Sequence, residues 1–138
     1  MVKEIVKDVD VLQQKSEWFE FGKDDHLIQD MMDTAEYYKV NCLGLACIQI
    51  GVPKKIIVVQ RGRRFEPMIN PIIIQKSKET YDIEEGCLSL DEPKKVTRHY
   101  RIRVMYHTPN KKPVTENLSG ITAQIVQHEV DHLNGKLI

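Results

Sequence analysis

Between Asp24 and Val40, Leu27, Ile28, Met31, Met32 and Ala35 recur at i, i+1, i+4, i+5 and i+8, which predicts a helix with one buried face. Asp24 or Asp25 stands where its N-cap belongs. The middle of the chain follows a different rule. Lys55–Val59 is a short apolar run between Pro53 and Gly62, and Met68–Ile74 is a second; both predict strands. From Lys95 to His107 the positions Val96, Arg98, Tyr100, Ile102, Val104 and Tyr106 alternate with polar ones, which predicts one long, half-exposed strand. Pro109-Asn110-Lys111 reads as a hairpin turn returning through Val114 to Leu118.

The last predicted element runs from Ser119, a candidate N-cap, to Asn134, with Gly135 where a left-handed C-terminal residue is expected. Its apolar residues do not form one stripe. Ile121 and Ile125 align with His128 and His132, whereas Val126, Val130 and Leu133 occupy another side. A helix apolar on two sides is buried between layers. The predicted class is therefore α+β, with antiparallel or mixed β-sheets packed around a central C-terminal helix.

A chain of 138 residues fits one domain, so residues 1–138 are read as a single catalytic unit. Twenty basic residues offset twenty acidic ones, so charge gives no reason to expect a membrane or specific nucleic-acid partner. The N-terminal Met-Val-Lys-Glu-Ile-Val-Lys-Asp has no signal-peptide pattern, and no apolar stretch approaches the ~20 residues of a membrane span. Three cysteines, Cys42, Cys47 and Cys87, have no disulfide-framework spacing, and a reducing cytoplasm is the expected location.

The chemistry concentrates in His128-Glu129-Val130-Asp131-His132. Histidines four apart on a helix project from one face about a turn apart, a spacing that suits two nitrogens of a metal site. Glu129, beside the first, is placed to act as general base toward water. No His, Asp or Glu follows His132 in the sequence, so a third ligand is sought upstream. The candidates are Cys87, His99, His107, the Cys42/Cys47 pair and several carboxylates. Cys87 lies in Glu85-Gly86-Cys87-Leu88-Ser89, where a glycine permits close backbone approach. A thiolate with two imidazoles would leave a position open, as catalytic sites require. An inert buried cysteine is the competing reading.

Glu-Gly-Cys-Leu-Ser at 85–89 and Gln-His-Glu-Val-Asp-His-Leu-Asn-Gly at 127–135 resemble the second and third signature motifs of peptide deformylases. Cys42-Leu-Gly-Leu-Ala-Cys-Ile-Gln49 resembles the first, in the same order along the chain. The resemblance implies that Cys87, His128 and His132 bind one divalent metal. That metal is ferrous iron in many members, with zinc, nickel or cobalt as substitutes. Glu129 would move the proton, and the Gln49 amide with the Leu88 backbone N–H would stabilise the oxyanion. Cys42, Leu43, Gly44, Gln124 and Ile125 would line the groove in which the substrate docks as an added strand. The implied reaction removes the N-formyl group from the initiator methionine of nascent polypeptides, releasing formate. The implied setting is the cytoplasm, with transient ribosome association. Arg98 is expected to pair with Glu85 or Asp131 beside the ligands.

Three departures bear on this expectation. Cys42 replaces the usual first glycine of its motif, which would narrow the groove or make it oxidation-sensitive. Gln124 lies one turn before His128, where the family usually has an apolar residue. Its amide must find a partner, and it would weaken preference for an unbranched apolar side chain. Family members usually continue past the third motif, whereas this sequence stops at Ile138, which predicts lower stability or altered docking rather than lost chemistry. Two alternatives accompany the reading: a paralogue with shifted substrate, and a non-catalytic domain that binds peptide or metal.

Overall fold

The computed structural model describes residues 1–138. A short helix α1 (Val9–Leu12) precedes helix α2 (His26–Tyr37) and strand β1 (Gly44–Ala46), which runs into a 3₁₀ turn at Cys47–Ile50. Strands β2 (Ile56–Arg61), β3 (Arg64–Lys76), β4 (Thr80–Cys87), β5 (Leu90–His99), β6 (Arg101–His107) and β7 (Pro113–Ser119) follow, and helix α3 (Gly120–Leu133) closes the sequence. The strands form a five-stranded antiparallel sheet in the order β1-β2-β3-β6-β7 and a separate β4-β5 hairpin.

The run Ile56-Ile57-Val58-Val59 shows no alternation because β2 is buried on both faces. Ile57 and Val59 join Met68, Val104, Val126 and Leu133 on the α3 side. Ile56 and Val58 join Leu27, Met31, Phe65 and Ile69 on the α2 side. The predicted α+β layering is therefore present, with α3 apolar on two sides because it sits between the sheet and the hairpin.

The strand expected from Lys95 to His107 is two strands in two sheets. Val96 and Arg98 pair with Ile83 and Tyr81 in the hairpin, whereas Ile102 and Val104 pair in the large sheet. The alternation keeps its phase across the break at Tyr100, so the pattern does not reveal it. The backbone groups released there are satisfied from α3. The Gln127 side chain accepts from the His99 N–H at 2.8 Å and donates to the His99 carbonyl at 2.9 Å.

Both expected N-caps differ in detail. Asp25 occupies the position before α2 without capping it, and instead accepts from the Gly22 N–H at 3.0 Å. Ser119 occupies the position before α3 and its hydroxyl makes no capping bond. The turn after β6 forms as predicted, with the Lys111 N–H bonded to the Thr108 carbonyl at 2.9 Å. Gly135 takes the expected left-handed conformation, at φ 79°.

Asp24 ties the segment before α2 to the loop after the 3₁₀ turn. It is buried, accepts from the Glu20 N–H at 2.8 Å and pairs with Lys54 at 3.3 Å. Burial alone would raise its pKa, but the Glu20 N–H and the Lys54 ammonium outweigh burial and lower it. A depressed carboxylate contributes stability above its ordinary range, and that contribution disappears as pH falls through the folded value. Asp24→Asn is expected to cost about 1.5–3 kcal/mol at neutral pH in urea denaturation. The gap to wild type should narrow as pH is lowered below about 4.

Candidate metal centre

Helix α3 and the end of β4 bring three donor atoms to one point. His128 Nε2 and His132 Nε2 are 3.1 Å apart, and Cys87 Sγ is 3.4 Å from His132 Nε2. The donor atoms of Cys87, His128 and His132 all lie within 4.8 Å of one another. Two nitrogens and one sulfur sharing a tetrahedral ion at ordinary bond lengths would stand roughly 3.3–3.6 Å apart. The donor set therefore fits a divalent transition metal, and Glu129 adds a second sign. Its Oε1 is buried beside the cluster with no hydrogen-bond partner. The other third-ligand candidates lie elsewhere: His99 Nδ1 faces the Ser77 carbonyl, His107 packs against Phe21, and Cys47 is in the α2-side core.

A buried charge network orients the ligands. His128 Nδ1 is 2.6 Å from Glu85 Oε1, which turns Nε2 toward the centre. Arg98 donates to Glu85 through Nε at 3.0 Å and Nη2 at 2.7 Å, and to Asp131 through Nη1 at 2.6 Å. The expectation for Arg98 named either carboxylate; the guanidinium takes both.

The electrostatics follow from burial and these contacts. Burial opposes charge on Glu85, but His128 and Arg98 prevail and hold its carboxyl at about 2. Burial also opposes charge on His128, yet Cys87 and Glu85 raise it to about 10. Burial, reinforced by the neighbouring His128, pushes His132 down to about 3. Burial raises Glu129 to about 7, within reach of proton exchange at neutral pH.

Gly44 sets how closely β1 approaches α3. A Cβ there would lie 2.8 Å from Glu129 Oε2 and 2.7 Å from Ile125 Cγ2, so only glycine fits without moving the glutamate. The 3₁₀ turn following β1 delivers Gln49. Its Oε1 accepts from the Ala46 N–H at 3.0 Å, and its Nε2 donates to Ser89 Oγ at 3.2 Å and Cys87 Sγ at 3.4 Å. Gln49 is therefore a fixed amide beside the ligand sulfur.

A cavity of about 440 Å³ opens at this centre. Cys42, Leu43, Gly44, Leu88, Gln124 and Ile125 all line it. Leu43 is half exposed at the rim, whereas Ile125 is buried in the wall. The expected oxidation sensitivity of Cys42 is not supported. Its thiol is buried, donates to the Gly44 carbonyl at 3.1 Å, and is pushed up to about 12 by burial and by Glu129.

Sequence reasoning missed Ser89 as the partner of Gln49, although it lies in the quoted second motif. It also missed Tyr81, whose hydroxyl donates to Gln124 Oε1 at 3.1 Å. Tyr81 lies in β4, a strand whose outward residues carry no hydrophobic signal.

The polypeptide deformylase family matches residues 2–138. A peptide deformylase of Clostridium beijerinckii is 45% identical over 139 residues, covering 100% of both chains. One from Fusobacterium nucleatum is 38% identical, covering 99% of this chain and 75% of its own. The C. beijerinckii relative is matched over its whole length, so the tail expected of family members is not a feature of every relative. Among solved structures, peptide deformylase from Thermotoga maritima superposes with a TM-score of 0.90 at 33% identity, over 99% of this chain and 95% of that one. A class I type b peptide deformylase of Acinetobacter baumannii with Met-Ala-Ser bound gives 0.88 at 32% identity, over 99% and 97%.

Two substitutions test the geometry. Arg98→Ala leaves the buried Glu85 carboxylate without its guanidinium and is expected to cost about 3–5 kcal/mol in urea denaturation. It should also weaken metal affinity about ten- to a hundredfold in chelator competition, because His128 loses its support. Gly44→Ala is expected to displace Glu129 and lower turnover about a hundredfold while metal content stays near one per chain.

Proposed function

Because this chain belongs to the polypeptide deformylase family, whose members are metal-dependent enzymes that remove the N-formyl group from new polypeptides, we propose that Cys87, His128 and His132 hold the metal and Glu129 carries the proton. The observation that supports this most is the buried, unpartnered Glu129 Oε1 beside three converging ligand atoms. A site that only stabilised the fold would gain nothing from that carboxylate and would pay for its desolvation.

When bound, a divalent cation supplies a Lewis acid that polarises the formyl carbonyl and makes water more acidic. Thiolate with two imidazoles suits iron, zinc, nickel or cobalt, and ferrous iron is the native ion in this reading. Glu129 takes a proton from the attacking water and returns it to the amine nitrogen as the formyl C–N bond breaks. The Gln49 amide and the Leu88 N–H donate to the oxygen that gains charge; Ala46 and Ser89 hold the Gln49 side chain in place while its second N–H turns from Cys87 Sγ to that oxygen.

Strand β1 is an edge strand with β2 as its one neighbour in the sheet. Its free side offers the Gly44 backbone to an extended formyl peptide, with Leu43 at the rim. Cys42, Gln124 and Ile125 then line the space for the first side chain. In this reading residues 1–138 act as one catalytic domain on nascent chains, in the cytoplasm and in transient contact with the ribosome. No helix is long and apolar enough to cross a membrane.

The test uses protein purified without oxygen and assayed for formate release from formyl-Met-Ala-Ser. Glu129→Gln is expected to keep its metal and lose about 10²–10⁴-fold in kcat. Full activity in that variant, or a metal-loaded wild type that releases no formate, would contradict the assignment.

A further inference from the structure

Before His128 and Glu129, the wall that α3 presents to the cavity carries one polar residue beside two isoleucines. Ile121 and Ile125 line it with Gln124, which lies one helical turn, about 5–6 Å, before His128. Gln124 is not free to turn away. Its Oε1 accepts from the Tyr81 hydroxyl at 3.1 Å, and the Tyr81 ring packs on Tyr100 with centroids 4.8 Å apart. Tyr81 stands opposite Arg98 in the β4–β5 register, so the anchor belongs to the same hairpin that carries Cys87 and Glu85.

This leaves the Gln124 amide nitrogen as a donor with no protein partner on a cavity-lining side chain. With Oε1 held by the Tyr81 hydroxyl, the amide nitrogen is the end of Gln124 left for a bound side chain.

From this arrangement we propose that Gln124, held by Tyr81, lets the cavity accept N-formyl peptides whose first residue is methionine sulfoxide. The inference rests on the deformylase reading above. A purely apolar pocket takes a thioether but penalises a sulfoxide, whose oxygen would be buried without a donor. Thioether sulfur is a weak acceptor, so the Gln124 donor offers methionine itself little. A sulfoxide oxygen is a strong acceptor on a side chain of nearly the same shape, and Ile121 and Ile125 still contact its methylenes. The selected class is therefore a side chain of methionine's shape that carries a hydrogen-bond acceptor. The reaction itself is unchanged: the formyl C–N bond breaks, water supplies the oxygen of formate, the amine gains the proton, and the sulfoxide is neither oxidised nor reduced. One donor on one wall distinguishes the two sulfoxide epimers.

The experiment compares formyl-Met-Ala-Ser with each epimer of its methionine sulfoxide analogue, using metal-loaded wild type, Gln124→Leu and Tyr81→Phe. Wild type is expected to hydrolyse one epimer with kcat/KM within about tenfold of the methionine peptide. Gln124→Leu should lower the sulfoxide-to-methionine ratio about tenfold or more, with Tyr81→Phe between the two. Calorimetric binding of the products Met-Ala-Ser and methionine sulfoxide-Ala-Ser should show the same ordering without turnover. A ratio unaffected by Gln124→Leu overturns the proposal, as does wild type that rejects both epimers more than about a hundredfold. Loss of activity on formyl-Met-Ala-Ser itself would instead defeat the deformylase reading, and this inference with it.

Discussion

The buried guanidinium of Arg98 is the constraint on which the rest of the site depends. It joins the β4–β5 hairpin to α3 through Glu85 and Asp131, and Glu85 in turn fixes the His128 ring. The hairpin is not part of the five-stranded sheet, so these charged bonds take the place of ladder pairing in setting its position. Removing the cation would strand the Glu85 carboxylate in a low-dielectric interior, whereas the partly exposed Asp131 keeps Lys136 at 3.5 Å. Cys87 and Ser89 are placed by the same hairpin, so ligand sulfur and the Gln49 anchor move together.

On the other side of the centre the constraint is steric. Gly44 allows β1 to lie against α3 at a distance no other residue permits, and Ile125 and Glu129 occupy the space its missing Cβ leaves. β1 is thereby both the wall behind Glu129 and a free sheet edge. The apolar layers support this geometry by holding α3 between sheet and hairpin, with β2 buried on both faces.

Much of this was legible from residue order. The His128–His132 spacing predicted two converging imidazoles, and the double-sided apolar pattern a buried α3. Other features were hidden for physical reasons. The break at Tyr100 falls where alternation keeps its phase, so one pattern covers two strands. Strand β4 presents mostly exposed residues, and its apolar alternation is limited to Tyr81 and Ile83, too short to mark a strand, which concealed Tyr81 and its bond to Gln124. Cys42 looked reactive from its place in the motif. Its protonated, tethered state depends on burial and on the Gly44 carbonyl, neither of which spacing can show.

The central claim is that Cys87 supplies sulfur to a metal also held by His128 and His132. X-ray absorption spectroscopy on protein purified without oxygen tests it most directly. The account expects one sulfur and two imidazole nitrogens around the ion, with the sulfur contribution gone in Cys87→Ser. A first shell of oxygen and nitrogen alone, or one that keeps its sulfur in Cys87→Ser, would contradict it.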